Sequence, residues 1–578
     1  SIALIVTVAV SGCQVIVSKV FLPQKDVRKA DYGVQVERGV AMTTRDGVEL
    51  VSYIYLPKTN EKTPTILVRV PFLKTYTNKT RADAVGRFWA KRGYAVVIQG
   101  TRGRFLSGGR FYPLLAERED GIETLQWLTK QPWYDGRIGM WGGSTFGYTQ
   151  WVLADQKNPG PSALAIQIAS TSFHDMFYPG GAFSLESALF WAVREHSERD
   201  QWPPFEQLML GFGGFPLIEA DDRAVGDIPY FNDWVTHIEK DAYWIEIDGQ
   251  DRPRNLKAPT LLMAGWYDPF LPSQIDDFIQ ARNEADPAVA AATRLVIGPW
   301  AHARTVKFPG GFTPRSYRKE SLGPSIAWFD RHLRMDSTIP ETAPVRIFVM
   351  GDNIWRDEQQ WPLARTRYVS YYLHSGGKAN GATGDGLLNT EPPSAAEPAD
   401  TYVYDPNDPV PSAGGAMIGP RAGVVLQNEI ETRSDVLVYT TPPLDDDVEV
   451  TGPITLVLYV STTASNTDFT GKLVDMHPDG KAFNVCDGII RRSYDDSVVA
   501  SQQDKPTEIA IQLWPTSMVF HAGHRIRLEV SSSNFPRYDR NPNTGGDIPR
   551  ETQPILATQT IHHRVDSPSH LILPVIPR

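Results

Sequence analysis

Cysteine is scarce in this sequence of 578 residues, which contains only Cys13 and Cys486. Two cysteines so far apart provide neither a disulfide framework nor a zinc ligand set, and no His-Glu-x-x-His motif is present. Internal repeats and low-complexity tracts are also absent. The sequence therefore gives no indication of a metal or a cofactor.

Basic residues are in the minority, with 57 Lys and Arg against 67 Asp and Glu and a net charge of −10. No basic patch is available to neutralise phosphates, which argues against a nucleic-acid partner. Hydrophobic residues make up 41% and charged residues 21%, as in ordinary globular proteins. A chain of this length is expected to form about three or four domains.

A long apolar run is missing, although residues 1–10, SIALIVTVAV, are all apolar or small. This run is too short to span a bilayer and resembles the apolar region of a secretory signal peptide. The following VSGC resembles a bacterial lipobox, in which Cys13 would be lipidated, and Gln14 after it fits outer-membrane sorting. An ordinary signal peptide with a chance cysteine is the alternative. Both interpretations predict an exported protein, with residues 1–13 outside the fold and membrane contact only through a lipid anchor.

Buried strands alternate with helical patterns in two parts of the sequence, 14–170 and 251–355. A helical stripe of Ile122, Leu125 and Leu128 runs through residues 116–131. The strands are apolar on both sides and rich in β-branched residues; they are residues 65–70, 94–100, 137–141, 163–169, 260–265, 294–300 and 345–351. This alternation predicts an α/β sheet that is doubly wound and mainly parallel.

The two remaining parts of the sequence have different textures. Residues 171–250 mix aromatics and helix formers with Gly and Pro breaks, and an insertion there would lie over the ends of the strands. We interpret it as a helical cap. From 360 to 578, short alternating runs such as 454–462, 508–514 and 525–533 are separated by turn residues. This pattern predicts an all-β domain, a sandwich or jelly roll.

The stretch GMWGGSTFGYTQW places two glycines and Ser144 where a strand turns into a helix. Such a context is typical of a nucleophile elbow, in which a strained serine needs small neighbours. The G-x-S-x-G form is not met, because Phe146 occupies the last position and the glycine follows at Gly147. The motif alone leaves catalysis and an ordinary turn equally open.

Two further residues complete a catalytic set in the order expected of α/β-hydrolases. Asp268 follows the strand 260–265, and His302 follows the strand 294–300. A serine hydroxyl needs a base, and the base needs an orienting carboxylate. Alone, the aspartate could cap a loop and the histidine could be an ordinary surface residue. Together with Ser144 they predict a Ser-His-Asp triad.

The sequence resembles the cocaine-esterase family of α/β-hydrolases, whose kin include Xaa-Pro dipeptidyl-peptidases, α-amino-acid ester hydrolases and cephalosporin acylases. The resemblance covers the chain from about residue 40 to its end. It implies a hydrolase core, a helical cap and a C-terminal jelly roll, with the family pattern G-x-S-x-x-G at Ser144, Asp268 as the orienting residue and His302 as the base. The matching stretches are TRGRFLSGGRFYP, WYDGRIGMWGGSTFGYTQW, AGWYDPF, IGPWAHA, RIFVMGDNIWRDEQQWPLA, KLVDMHPDGKAFNVCDGIIRRSY and GHRIRLEVSSSNFPRYDRNPNTG.

The resemblance also implies an oxyanion hole, from which this sequence departs. In the family, a tyrosine hydroxyl and the amide after the serine donate to the oxyanion; the amide is that of Thr145 here, but Phe72 occupies the tyrosine position. Losing one such donor costs about 10²–10³ in rate. Tyr76 or Tyr148 could replace it; otherwise the enzyme is slow or the alignment is shifted at this point.

An apolar pocket is suggested by the aromatic residues Trp141, Trp151, Phe177 and Phe270, for which plain core packing is the alternative. Asp175 could bind an ammonium group or simply cap a helix. We predict hydrolysis of a small-molecule carboxylic ester with an apolar acyl group, through an acyl-enzyme. Two alternatives remain: a dipeptidyl-peptidase or acylase that cuts amides with the same triad, and a surface protein with a degenerate core that binds a glycan or polymer. The sequence does not predict the oligomeric state.

Overall fold

The computed structural model describes residues 28–72, 75–197, 203–249, 251–302, 304–394, 397–494 and 506–578. The predicted signal peptide at 1–13 and the predicted lipidation of Cys13 lie outside these residues. Among the helices of the described ranges, none has the length and apolar character needed to cross a bilayer.

Ten strands form the first sheet, in the hydrogen-bonded order β1-β2-β4-β3-β5-β6-β7-β8-β9-β10. The six neighbouring pairs from β4 to β9 are parallel, while β1, β2 and β10 run antiparallel to their neighbours. The predicted doubly wound, mainly parallel sheet is therefore confirmed. The strands are Val34–Thr43, Glu49–Pro57, Thr63–Val70, Ala95–Gly100, Tyr134–Gly143, Ala163–Gln167, Thr260–Tyr267, Arg294–Ala301, Val345–Val349 and Ile354–Glu358 for β1 to β10.

Helices cover both faces of this sheet because successive residues of its central strands point in opposite directions. Ile66 and Val68 of β3 pack into a cluster with Trp89, whereas Leu67 packs into a second cluster with Leu125. The helices of the core are Tyr76–Ala90 (α1), Glu117–Leu128 (α2), Thr145–Trp151 (α3), Leu271–Glu284 (α10), Pro287–Ala292 (α11), Tyr317–Glu320 (α12) and Leu322–His332 (α13).

Six α-helices are described between β6 and β7, the region interpreted as a cap. Their buried aromatic side chains stack on one another; Trp191 and Trp234 lie nearly parallel with ring centroids 4.9 Å apart. The helices are His174–Phe177 (α4), Leu185–His196 (α5), Phe205–Phe212 (α6), Ala220–Ala224 (α7), Pro229–Thr236 (α8) and Ala242–Ile247 (α9).

The rest of the described chain is an all-β domain, as predicted. Its strands are hydrogen-bonded in the order β13-β20-β15-β22-β11-β12-β14-β19-β16-β17, and β18 pairs with β15. Of the strand pairs described in this all-β domain, only β12 with β14 is parallel. The strands are Arg367–His374, Leu387–Asn389, Asp400–Tyr404, Leu437–Thr440, Val448–Thr462, Asn466–Met476, Ala482–Ser493, Thr507–Phe520, Arg525–Ser531, Ala557–Arg564, Ser567–Pro568 and His570–Ile576 for β11 to β22.

Polar contacts join the helical region to the all-β domain. The buried Glu186 of α5 forms an ion pair with Arg421 at 2.6 Å. The backbone N–H of Phe183 donates to the Asp539 carboxylate at 2.9 Å. Removing one partner of a buried ion pair leaves an uncompensated charge and costs about 3–5 kcal/mol. These contacts therefore hold the two regions in a fixed relation.

Candidate active site

Ser144 stands between the end of β5 and the start of α3. Its backbone has φ 60° and ψ −130°, a conformation that residues other than glycine rarely adopt. The Ser144 N–H donates to the carbonyl of Gln167 at 2.9 Å, which ties the turn to the neighbouring strand β6. The hydroxyl is half-buried and projects at the carboxyl end of the sheet, as in a nucleophile elbow.

Two glycines make this turn sterically feasible. Gly142 has φ 141°, and a Cβ there would lie 2.5 Å from the Cβ of Phe146. A Cβ at Gly147 would lie 2.6 Å from the Cβ of Ala169. Both distances are well below van der Waals contact, so any side chain would push α3 away from the sheet. The late glycine of the motif is therefore explained by helix packing.

The structure brings together all three residues of the predicted triad. Asp268 is the first residue after β7, and His302 is the first after the neighbouring strand β8. His302 Nε2 lies 2.9 Å from the Ser144 Oγ, and His302 Nδ1 lies 2.8 Å from the Asp268 Oδ2. Because β5, β6, β7 and β8 are parallel neighbours, their carboxyl ends place the three side chains in one line.

The carboxylate of Asp268 is fully buried, with 0% of its side chain exposed. Its Oδ1 accepts the N–H of Phe270 at 2.9 Å, which leaves Oδ2 aimed at the imidazole. Its backbone carbonyl accepts the indole N–H of Trp514, from β18, at 3.2 Å. The sequence analysis missed Trp514, and no local signal points to it, because the two residues are 246 positions apart.

The predicted oxyanion donors have different outcomes. The amide of Thr145 is the first of α3, one of the helix amides that have no carbonyl partner within the helix. Phe72 packs edge to face on Phe146 with ring centroids 4.9 Å apart and has no donor to offer. Tyr148 is wrong as a substitute, because its buried hydroxyl contacts the backbone carbonyls of Leu114 and Ile247. The side chain of Tyr76 lies outside what the structure describes, and its role stays a prediction.

Two of the aromatic residues predicted to line a pocket belong to the core instead. Trp151 and Phe177 are fully buried, with 0% exposed, and Phe177 stacks on Trp234 of the helical region at 4.9 Å. Trp141 packs edge to face on Trp89 and donates its indole N–H to Ser325 at 3.2 Å. The pocket interpretation is wrong for Trp151 and Phe177, because aromatic content does not reveal which rings face a cavity, and for the half-buried Trp141 it stays a prediction.

Phe270, two residues after Asp268, is also buried, with 1% exposed, so the pocket interpretation is wrong for it as well. The Phe270 ring is 5.8 Å from the His302 ring. Asp175 lines a pocket of about 400 Å³ beside the Asp268 loop. Burial alone would raise the pKa of Asp175, but hydrogen bonds from His174 and Ser172 and the charge of Lys240 lower it to about 2. The other lining residues are Pro179, Gly180, Pro269, Pro272, Ser273, Asp276, Ile489, Ile490, Arg492, Ala510, Gln512, Leu513 and Trp514.

The fold and the hydrogen-bonded Ser-His-Asp set together define a class of protein, the serine hydrolases of the α/β-hydrolase fold. The alternative of a degenerate binding protein is not supported, because the nucleophile, base and orienting carboxylate are all present.

Comparisons with known proteins agree. Residues 46–304 match the family model described as X-Pro dipeptidyl-peptidase (S15 family), and residues 338–572 match the model of the C-terminal non-catalytic domain of X-Pro dipeptidyl-peptidase. The chain is 39% identical to the cocaine esterase of Rhodococcus sp. (strain MB1 Bresler), over 95% of this chain and 100% of that protein.

Among solved structures, an aminopeptidase from a marine sediment Thaumarchaeota archaeon has a TM-score of 0.77 at 24% identity, covering 96% of this chain and 98% of that one. An α-amino acid ester hydrolase has a TM-score of 0.76 at 23% identity, with the same coverage. These two show the shared fold. The chain belongs to the family that contains the cocaine esterase and the S15 X-Pro dipeptidyl-peptidases, and it is a serine ester hydrolase.

Proposed function

We propose that the chain cleaves carboxylic esters through an acyl-enzyme formed on Ser144. As the Ser144 Oγ attacks the ester carbonyl, His302 Nε2 takes the hydroxyl proton. Asp268 accepts the Nδ1–H of His302 and so holds the tautomer in which Nε2 is free to act as a base. His302 then returns the proton to the leaving alkoxide, and a water molecule repeats the sequence to release the acid. The observation that carries this proposal is the chain of hydrogen bonds of 2.9 Å and 2.8 Å through the three residues.

We further propose that the Thr145 amide stabilises the negative charge on the carbonyl oxygen during attack. A donor that faces the developing oxyanion acts most strongly in the transition state, which is why it raises the rate. Tyr76 is the proposed second donor, since Phe72 offers none and the Tyr148 hydroxyl is held by backbone carbonyls.

The acyl group is proposed to be apolar. The apolar part of the lining of the pocket next to Pro269 supports this choice. Leu513 and Trp514 of β18 form part of that lining. Such a surface gains free energy by excluding water from a hydrocarbon or aryl group, about 25 cal/mol per Å² of apolar area buried.

A specific observation favours a second candidate, the cleavage of amides by a dipeptidyl-peptidase or acylase. Asp175 and Asp276 both line the pocket, where a substrate ammonium group could bind to the two carboxylates in competition with Lys240, which lies 3.6 Å from Asp175. Burial, together with the charge of Asp175, raises the pKa of Asp276. A cation bound between the two would relieve this repulsion. The proteins to which this chain is similar include both esterases and peptidases.

The test is a panel of p-nitrophenyl esters of graded acyl length alongside Xaa-Pro p-nitroanilides. We expect ester turnover that rises with acyl length and disappears in Ser144→Ala, together with loss of labelling by a fluorophosphonate probe. Ser325→Ala, which removes a buried serine bonded to Trp141, serves as the matched control and keeps both signals. Faster turnover of the anilides would favour the peptidase, and labelling of Ser144→Ala would overturn the assignment of the nucleophile.

We also propose that the protein is exported and that Cys13 carries a lipid. The apolar run at 1–10 and the VSGC that follows support this proposal. In a bacterial host that makes the precursor, the wild-type chain is expected in the membrane fraction, and Cys13→Ser in the soluble fraction. Equal distribution of the two would contradict lipidation.

A further inference from the structure

Two histidines face each other at one end of the all-β domain. β16 ends at Met476, β19 begins at Arg525, and these two residues pair across the antiparallel ladder. The next residue along β16 is His477, and the one preceding β19 is His524. Continuing the register therefore places the two imidazoles opposite each other, and their ring centroids are 4.3 Å apart.

A carboxylate lies on the same face as these two rings. Asp475 is two residues before His477, and side chains two apart on a strand point the same way. Its Oδ1 lies 2.8 Å from His524 Nδ1, and its Oδ2 lies 3.1 Å from His477 Nε2. One ligand atom from each of the three residues lies within 4.8 Å of the other two.

Burial differs across this His-His-Asp cluster in a way that suits ion entry. The side chain of Asp475 is 4% exposed, whereas those of His524 and His477 are 15% and 23% exposed. The ring of Phe483 packs against His477 with centroids 4.9 Å apart and limits its rotation. The carboxylate thus lies on the buried side of the cluster, and both imidazoles remain accessible to solvent.

We propose that Asp475, His477 and His524 bind a divalent transition-metal ion of the Zn²⁺ type. Two imidazole nitrogens and one carboxylate oxygen are ligands that zinc accepts at about 2.0–2.2 Å, with water filling the remaining position. In the metal-bound state His524 Nδ1 and His477 Nε2 each offer a lone pair, each neutral imidazole carries its one proton on its other ring nitrogen, and any further proton is released to solvent. Mg²⁺ and Ca²⁺ prefer all-oxygen sets, so the two imidazoles select against them.

A neighbouring group with a similar composition is less suited to an ion. Asp352, Asp447 and His521 also lie within ligand distance of one another. However, the guanidinium of Arg578 already contacts Asp352 at 2.5 Å and Asp447 at 3.3 Å. A resident cation there neutralises the carboxylates. Within the described chain, the His-His-Asp cluster has no such competitor.

Metal binding would cross-link two turns at the edge of the all-β domain. His477 opens the turn from β16 to β17, and His524 closes the turn from β18 to β19. An ion that binds the folded state and not the unfolded chain raises the free energy of unfolding by RT ln(1 + [ion]/Kd), so the melting temperature rises with the free ion concentration. The site is therefore proposed to be structural, and it is separate from the catalytic triad.

The experiment uses the full chain, treated with a chelator and then dialysed against Zn²⁺, with bound metal counted per chain. Ser144 is first blocked with a fluorophosphonate, so that the catalytic site is in the same state in every sample. We expect wild type to bind one Zn²⁺ ion more per chain than His477→Gln. Loss of a residue that only supports a metal ligand lowers metal affinity by ~10–100-fold, and His477→Gln removes a ligand itself, so its affinity for Zn²⁺ should fall by at least as much. Co²⁺ should give visible absorption bands in wild type that are absent from this variant.

His237→Gln is the matched control, because His237 also contacts a carboxylate, that of Asp241, but has no third ligand. It should bind as much metal as wild type and show the same rise in melting temperature with Zn²⁺. Equal metal content in wild type and His477→Gln would overturn the proposal. Loss of the ion in His521→Gln with retention in His477→Gln would also overturn it, since the ion would then belong to the neighbouring group.

Discussion

The indole N–H of Trp514 donates to the backbone carbonyl of Asp268 at 3.2 Å. Trp514 belongs to the all-β domain, which carries no member of the catalytic triad. Its ring lies 4.8 Å from the guanidinium of Arg537, which in turn forms an ion pair with Asp487. The position of the catalytic carboxylate therefore depends on a network anchored in another domain.

Trp514→Phe is expected to lower kcat by roughly two- to tenfold, with a smaller change in KM. The substitution removes one buried hydrogen bond, whose net contribution is about 0.5–1.5 kcal/mol. Asp268 then has more freedom, and His302 spends less time aligned with Ser144. Steady-state kinetics on the best ester of the panel measure the effect.

Trp266→Phe provides the comparison for this variant. Trp266 is equally buried and donates its indole N–H to the carbonyl of Phe348 at 2.7 Å, but it supports no triad residue. It should lower the melting temperature to a similar extent while kcat stays near the wild-type value. An equal fall in kcat for both variants would mean that Trp514 acts only through general stability.

Tyr76→Phe tests the second oxyanion donor. If its hydroxyl stabilises the oxyanion, its loss should lower kcat by about 10²–10³ with little change in KM, because the contact forms in the transition state. Tyr148→Phe is the control, since that hydroxyl contacts the carbonyls of Leu114 and Ile247 and should affect stability alone. An unchanged kcat in Tyr76→Phe would remove this tyrosine from the mechanism.

Gly147→Ala should destabilise the protein by about 1–3 kcal/mol through overpacking. The added Cβ would lie 2.6 Å from that of Ala169, so α3 must move and carry Ser144 with it. The melting temperature and kcat should fall together. Gly213→Ala is the matched control: its φ of −70° suits alanine and its nearest atom lies at 3.4 Å. Normal stability of Gly147→Ala would contradict the tight packing at the elbow.

Asp277 should make stability depend on pH. Burial raises the pKa of Asp277 to about 7 despite hydrogen bonds from the Thr171 amide and hydroxyl. In the unfolded chain an aspartate has a pKa of about 3.9. Between about pH 4 and 7 the folded state therefore binds more protons at this carboxyl than the unfolded state does, and the free energy of unfolding falls as the pH rises.

The melting temperature of wild type relative to Asp277→Asn should therefore decrease from pH 5 to pH 8, because the amide does not ionise. Asp446→Asn, on an exposed turn, controls for the loss of one acidic residue and should show no such trend relative to wild type. A constant difference between wild type and Asp277→Asn would show that this carboxyl does not titrate in the window.

The sequence predicted the sheet well because its central strands are buried on both faces. The apolar run 260–265, for example, forms the first six residues of the strand Thr260–Tyr267, whose eight residues are all buried. The nucleophile was predictable for a related reason. A strained turn accepts few residue types, so the presence of Gly142 and Gly147 in the sequence indicates the backbone geometry around Ser144.

Contacts between distant segments left no comparable record. The bond from Trp514 to Asp268 joins two domains, and the pairing of His477 with His524 depends on the register of β16 with β19. Neither follows from periodicity or spacing. The burial of Phe177 was equally hidden, because an aromatic residue in a helical insertion fits a core as well as a pocket.

The hold of β18 on the Asp268 loop also has a consequence for biosynthesis. A nascent polypeptide exposes Ser144, Asp268 and His302 to the cell long before Trp514 has been translated. Until that tryptophan arrives, the carboxylate lacks one of its supports. Full hydrolytic activity should thus appear only after β18 has been translated and has paired with β15.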